Sequence, residues 1–303
     1  CILRFGQGLG LGGEWGGAAL LAVENAPQGW RARFGMIPQL GAPIGFLAAN
    51  GMFLLIGMGL NEAEFAAWGW RIPFLASAIL VGLGLWVRLK INETPEIAQA
   101  LAQEPPIPVP IGELIRNHAL VTFAGTFAVV ACFAIFYLST AFALAHGTTA
   151  LGYDREVFLA VQLAAILFLA LGIIISGVCA DATSAARVLT WGCAATIGMG
   201  LIFGPLLGSG SLWLVWIVLS LALFIMGFVY GPLGAWLPSL FPPRVRYTGA
   251  SVAFNAGGIL GGAVAPIAAQ ALSEMGGTAL VGLYLTIAGV FSLAGLMLAR
   301  RIG

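Results

Sequence analysis

The feature that most constrains this chain is its series of long apolar runs. Nine of them fall at about 1–23, 34–59, 69–88, 118–145, 156–179, 187–207, 212–236, 247–272 and 279–299. A helix needs roughly 20 apolar residues to cross the hydrocarbon core of a bilayer, and each run supplies about that number. Strands of a membrane barrel would be about 10 residues long with strict alternation, and the runs do not alternate. The predicted fold class is therefore an all-α membrane protein. Composition agrees: of 303 residues, 60% are hydrophobic and 8% charged, whereas a soluble chain carries about a quarter charged residues. Too few polar side chains exist to coat a surface in water. That excludes a soluble enzyme, a nucleic-acid binder and a disordered chain. The net charge of +1 selects no electrostatic partner.

The positions of the basic residues carry more information than their sum. The connections near 24–33, 88–117, 180–187 and 240–246, with the C-terminal tail, hold Arg31, Arg33, Arg88, Lys90, Arg116, Arg187, Arg244, Arg246, Arg300 and Arg301. The alternate connections hold only Arg71 and Arg155, and Arg4 lies inside the first run. Basic residues collect in cytoplasmic loops, so this alternation predicts a cytoplasmic C-terminus. Nine spans then put residue 1 on the outer side. The chain opens on Cys1 in apolar helical sequence without a basic leader. The expectation is the C-terminal part of a longer protein with an odd number of upstream spans.

Two segments resemble each other. Gly13-Glu14-Trp15-Gly16-Gly17 is followed by Pro27, Arg31, Arg33, Gly35, Gly41 and Gly45. Gly231-Pro232-Leu233-Gly234-Ala235-Trp236 is followed by Pro243, Arg246, Gly249, Gly257 and Gly261, at an offset of about 215 residues. Each is a glycine-rich span, a short basic turn and another glycine-rich span. Spans one to three would then correspond to spans seven to nine, and spans four to six to three upstream. Twelve helices in two halves of six is an architecture of secondary transporters. The expected division is 1–88 as the last three helices of an N-terminal half, 89–117 as a cytoplasmic linker, and 118–303 as a complete six-helix half. The linker carries Pro105, Pro106, Pro108 and Pro110, which stiffen it, and Glu93, Glu96, Glu104 and Glu113, which keep it solvated.

Several strings then resemble one family. Arg4-Phe5-Gly6-Gln7-Gly8 with Gly12-Gly13-Glu14, Trp68-Gly69-Trp70-Arg71-Ile72-Pro73-Phe74 and Glu93-Thr94-Pro95 are similar to the metabolite:proton symporter family of the major facilitator superfamily. So are Tyr230-Gly231-Pro232 through Pro238, Leu240-Phe241-Pro242 and Val245-Arg246-Tyr247-Thr248-Gly249-Ala250-Ser251. The resemblance implies a major facilitator fold with helices 4–12 of twelve present. It also implies proton-coupled uptake of organic acids, osmolytes such as proline and betaine, or shikimate-like compounds. One departure stands out. The family's loop between helices eight and nine reads Gly-x-x-x-Asp-Arg-x-Gly-Arg-Arg, but here Gly177 to Arg187 keeps only Asp181 and Arg187 of its charges. That puts the cytoplasmic latch of this half in question.

Glu14 is the sharpest candidate for chemistry. It lies about 10 residues, roughly 15 Å, from the cytoplasmic end near Glu24, which is the bilayer midplane. An ionisable group at that depth costs about 2.5–3.5 kcal/mol on insertion scales and marks function by default, here proton coupling. The competing reading is a structural ion pair. Arg4 is a poor direct partner, because it sits about 15 Å along the axis on another face. Gln7 is on nearly the same face as Glu14. Arg4 and Gln7 are candidate substrate ligands, Arg4 equally a snorkelling side chain and Gln7 equally interhelical glue. Tyr137, Gln162, Tyr230 and Asn255 are further candidate cavity residues, or else satisfied interhelical hydrogen bonders. Glu24 with Arg31 or Arg33, and Asp181 with Arg246 or Arg187, are candidate cytoplasmic gate pairs, or ordinary topogenic charge.

Other features read as structural. Gly8, Gly10 and Gly13 spell a dinucleotide fingerprint, but no strand precedes them. Gly6, Gly10, Gly12, Gly13, Gly16 and Gly17 instead give close-packing spacing. Cys1, Cys132, Cys179 and Cys193 have no metal-ligand spacing and read as small hydrophobes. His118 and His146 sit at span ends, and Trp68, Trp70 and Trp213 mark the outer interface. No metal or cofactor is expected. The expected partners are a small-molecule substrate, protons and the lipid bilayer, with no nucleic acid, and the chain is expected to be monomeric. The leading reading is a proton-coupled symporter in a cell (inner) membrane. The second is a transporter-like sensor that binds a metabolite without moving it. An intramembrane enzyme lacks any paired His/Asp motif.

Overall fold

A computed structural model describes residues 2–90 and 110–302, all of whose elements are helical. The long helices are α1 (Ile2–Glu24), α2 (Arg31–Gly59), α3 (Ile72–Lys90), α4 (Ala119–Thr149), α5 (Arg155–Ala182), α6 (Ala185–Leu207), α7 (Leu212–Ser239), α8 (Arg246–Gly276) and α9 (Thr278–Ile302). They fall on the nine apolar runs. Eight helical segments of the described residues, starting with α2, are long and apolar enough to cross a membrane. In α1 the glycines and the polar Arg4, Gln7 and Glu14 dilute the apolar content, although its 23 residues form one helix. Most of the 89–117 linker, including Glu93, Glu96, Glu104 and the prolines at 105, 106 and 108, lies outside the described residues. Its end forms a short helix, Pro110–Asn117.

The connections are short and locally encoded. Asn61 and Glu64 form a reciprocal capping box on the Glu62–Ala67 helix, satisfying two of its otherwise unpaired N–H groups. Ser184 accepts from the Arg187 N–H and caps α6. The single residue between α8 and α9, Gly277, has φ of 74°, a left-handed conformation that glycine adopts without steric cost.

Helices α4 to α9 form a dense bundle around Phe142, Phe158, Phe203, Leu189 and Met199. Glycines set its seams. A Cβ on Gly172 of α5 would sit 2.3 Å from the Phe224 carbonyl of α7, and one on Gly227 would sit 2.5 Å from Gly172. Gly200 and Gly282 make the same approach between α6 and α9. In lipid such contact, rather than water exclusion, holds helices together. Cys132 and Cys193 are buried free thiols and Cys179 is half-buried. Trp68, Trp70 and Trp213 are exposed near helix ends.

Four of the described helices depart from regular geometry, α7 by a break at Gly231–Pro232 between Leu212–Tyr230 and Leu233–Ser239. In α2 a 3₁₀ turn at Pro38–Leu40 interrupts the helix, because Pro38 lacks an N–H and cannot continue the ladder. In α4 and α8, π-helical turns occupy Leu138–Phe142 and Ile259–Ala263. Such turns leave carbonyls that need donors from elsewhere, and they often occur at functional sites.

The two glycine-rich segments pack on each other. Helix α1 packs on the first half of α8, and the start of α2 packs on the end of α7. A Cβ on Gly16 would meet the Ser251 hydroxyl at 2.1 Å, and one on Gly234 would meet the Gly35 carbonyl at 2.2 Å.

Candidate functional site

Where α1 meets α4, α7 and α8, the bundle holds a cavity of about 700 Å³. Its walls are Trp15, Phe133, Tyr137, Tyr230, Phe254 and Asn255, with Ala141, Gly258, Ile259, Gly262 and Pro266 beyond. Both π turns border it. Counted from the helix ends at the Glu24–Arg31 and Phe241–Arg246 turns, Trp15, Tyr230 and Asn255 each lie about 13–15 Å into the bundle. Tyr137 and Pro266 lie farther still from that basic end. The cavity thus spreads from the midplane toward the opposite end.

Aromatic packing shapes the walls. Trp15 and Phe254 stack with ring centroids 3.7 Å apart, and Phe133 meets Phe254 edge-on at 5.1 Å. The Trp15 indole N–H donates to Gln39 Oε1 at 3.0 Å. Gln39 follows Pro38 in the 3₁₀ turn of α2 and is fully buried. Sequence reasoning passed over it. Its signal was an amide immediately after a proline inside an apolar run.

The amides expected in the cavity divide into two kinds. Asn255 Nδ2 donates to the carbonyls of Gly12 and Ser251, both at 2.8 Å. Its two N–H groups are thereby used, so Asn255 Oδ1 is the group it can offer the cavity, as an acceptor. Gln162 does not line the cavity. It is 2% exposed, and Nε2 donates to the carbonyls of Ser139 and Thr140 at 3.0 and 2.7 Å. Both belong to the π turn of α4, so Gln162 supplies the donors that this irregular backbone lacks. It braces the wall and does not touch the contents. Tyr137 and Tyr230 both line the cavity.

Glu14 precedes Trp15, with its side chain on an exposed face of α1, and is not among the residues lining the cavity. Arg4 and Gln7 lie in α1, but their side chains fall outside the described set. The glycine face expected on α1 is used: Gly12, Gly13 and Gly16 pack on Asn255, Tyr247 and Ser251 of α8, and the Tyr247 hydroxyl donates to the Gly13 carbonyl at 2.9 Å.

At the basic end of the bundle, α2 is packed against α5 and α7. Gly35 and Gly234 bring the backbones of α2 and α7 together, and Met36 covers Gly177 of α5. Asp181, at the end of α5, accepts the backbone N–H groups of Ala32 and Arg33 at 2.8 and 3.1 Å. Arg33 Nε lies 3.5 Å from Asp181 Oδ2, an ion pair without a formed hydrogen bond. A carboxylate at a helix N-terminus meets both unpaired N–H groups and the positive end of the helix dipole. The partner of Asp181 is thus Arg33 with its helix end, where the sequence suggested Arg246 or Arg187. Arg246 Nε instead donates to the Phe241 carbonyl at 3.2 Å, and Arg187 is exposed. Arg33 also stacks over Trp30 at 4.5 Å, while Glu24 and Arg31 are exposed. The three His/Cys/Asp/Glu groups that a metal needs are not clustered among the described residues.

A bundle of apolar helices holding an aromatic cavity near its midplane is the form of a membrane transporter. Residues 1–266 match the Major Facilitator Superfamily. The chain is 44% identical to the inner membrane metabolite transport protein YhjE of Escherichia coli, over 99% of this chain and 69% of the relative. It is 40% identical to a putative metabolite transport protein of Haemophilus influenzae, over 98% of this chain and 69% of that one. It is 35% identical to the Escherichia coli shikimate transporter, over 89% of this chain and 62% of the relative. The chain belongs to the Major Facilitator Superfamily, in the metabolite:proton symporter branch whose motifs it carries. It is a multi-pass membrane transport protein, not an enzyme.

Proposed function

We propose that this chain forms the greater part of a proton-coupled symporter for a small organic solute, working by alternating access. The observation that carries the reading is the aromatic cavity at the midplane, sealed at the basic end by Asp181, the Gly35–Gly234 contact and Met36. With the basic end cytoplasmic, by the positive-inside rule, and the C-terminus on that side, this arrangement would be an outward-facing state. Rocking of the two parts would part the Asp181 contacts and close the opposite end, carrying the site across. The solute would lie against Trp15, Tyr137, Tyr230 and Asn255, with Arg4 and Gln7 on the outer reach of α1. Relatives named as carriers of shikimate and of proline and betaine support a small polar metabolite. The protein would act as a monomer in the cell (inner) membrane.

Glu14 is the proposed proton carrier. Its support is depth: a carboxyl about 15 Å from either interface pays a penalty that a coupling role accounts for. Proton-driven uptake of shikimate, proline and glycine betaine by the complete protein in vesicles tests the reading. The expected result is accumulation of at least one solute that requires an inward pH gradient, and its loss in Glu14→Gln. Undiminished gradient-driven uptake in Glu14→Gln would remove that role, and binding without accumulation would favour the sensor reading.

A further inference from the structure

Gln39 is a buried polar group with an uneven account of its bonds. Its Oε1 accepts the Trp15 indole N–H at 3.0 Å, while Nε2 is buried without a hydrogen-bond partner. A leucine of similar size would remove that unpaired donor, and burying an unpaired donor costs free energy. What a leucine could not do is hold the indole. Among the described side chains of α1, Trp15 is the one that lines the cavity. Its ring is fixed on its face by Phe254 and at its N–H by Gln39. Gln39 therefore ties α2 to α1 behind the cavity wall, without reaching the cavity itself.

Position in the fold strengthens the argument. Gln39 sits in the 3₁₀ turn caused by Pro38, so its side chain leaves α2 at an angle that a regular helix would not provide. The same α2 carries, at Ala32 and Arg33, the N–H groups that hold Asp181. One helix thus touches both the seal and the indole.

We propose that Gln39 is a positioning residue of the transport site: by holding the Trp15 indole it sets solute affinity without touching solute. This rests on the reading of the cavity as a transport site. The test uses the complete protein in vesicles, with shikimate, proline and glycine betaine as probes, and Trp15 emission taken as the difference between each protein and its Trp15→Phe counterpart. Gln39→Leu should move Trp15 emission to the blue, raise KM for the transported probe about tenfold and leave maximal rate within about twofold. Gln39→Glu keeps an acceptor at the same reach and should hold emission and keep KM within about threefold. Trp15→Phe combined with Gln39→Leu should be no worse than Trp15→Phe alone, since one bond is lost only once. Wild-type emission and KM in Gln39→Leu, or equal damage from Gln39→Leu and Gln39→Glu, would overturn the assignment. If the wild-type protein accumulates none of the probes, the transport reading has failed for them, and the emission comparison alone decides whether Gln39 holds the indole.

Discussion

Helices α2 and α3 differ from α4–α9 in one respect that governs the rest. In the most apolar stretch of α2 and of α3 only 6% of residues are buried, against 39–56% in α4 to α9. Glycine use follows the same division. Gly41, Gly45, Gly51, Gly82 and Gly84 have nothing within 4 Å of an added Cβ, whereas Gly172, Gly200, Gly227 and Gly282 meet backbone at 2.6 Å or less. The chain spans 69% of the length of its Escherichia coli relative, so the low burial of α2 and α3 is a property of this chain taken by itself. The back six helices are a packed unit. The front ones engage that unit along α1, which packs on α8, and along α2, which packs on α5 on both sides of its 3₁₀ turn and on the end of α7 at its start.

This contrast can be broken by substitution. The largest effect is expected for Gly172→Val, which forces α5 from α7: the yield of monodisperse purified protein should fall at least tenfold, as a core overpacked by several kcal/mol would (~3 kcal/mol or more). Next, Gln162→Leu strands the Ser139 and Thr140 carbonyls and should cost about 1–3 kcal/mol, read as a lower melting temperature with the cavity side of α4 more open to proteolysis. Asp181→Ala should cost about 1–2 kcal/mol and raise labelling of a cysteine placed at Met36 from the basic side. Arg33→Ala should have the smallest effect, below about 1 kcal/mol, because its side chain is 32% exposed and Asp181, at 8%, keeps both backbone donors. Equal effects of Asp181→Ala and Arg33→Ala would mean that the ion pair, not the helix end, holds the seal.

The spans were legible because lipid leaves few ways to satisfy a backbone, and run length alone picks the helix. The glycine-rich segments that suggested a repeat pack on each other, Gly16 against Ser251 and Gly234 against Gly35. Side-chain destinations were less so. Asn255 and Gln162 are both amides in apolar runs, yet one lines the cavity and the other serves a π turn. Nothing in the local pattern announces that turn. Asp181 was expected to meet Arg246 or Arg187, its nearer basic neighbours in the second half. The structure gives it the start of α2, some 150 residues away in sequence, a contact that helix register decides and charge counting does not. Gln39 was missed because the polar groups of the front spans were read only in α1.

The most direct test of the account is a reversible lock on the closed end. In the complete protein with Cys179 replaced by Ser, Arg33→Cys and Asp181→Cys would be bridged by a short bifunctional thiosulfonate. The account predicts that bridging abolishes solute uptake and that a reducing agent restores it. Uptake continuing at the unbridged rate with the link in place would contradict it.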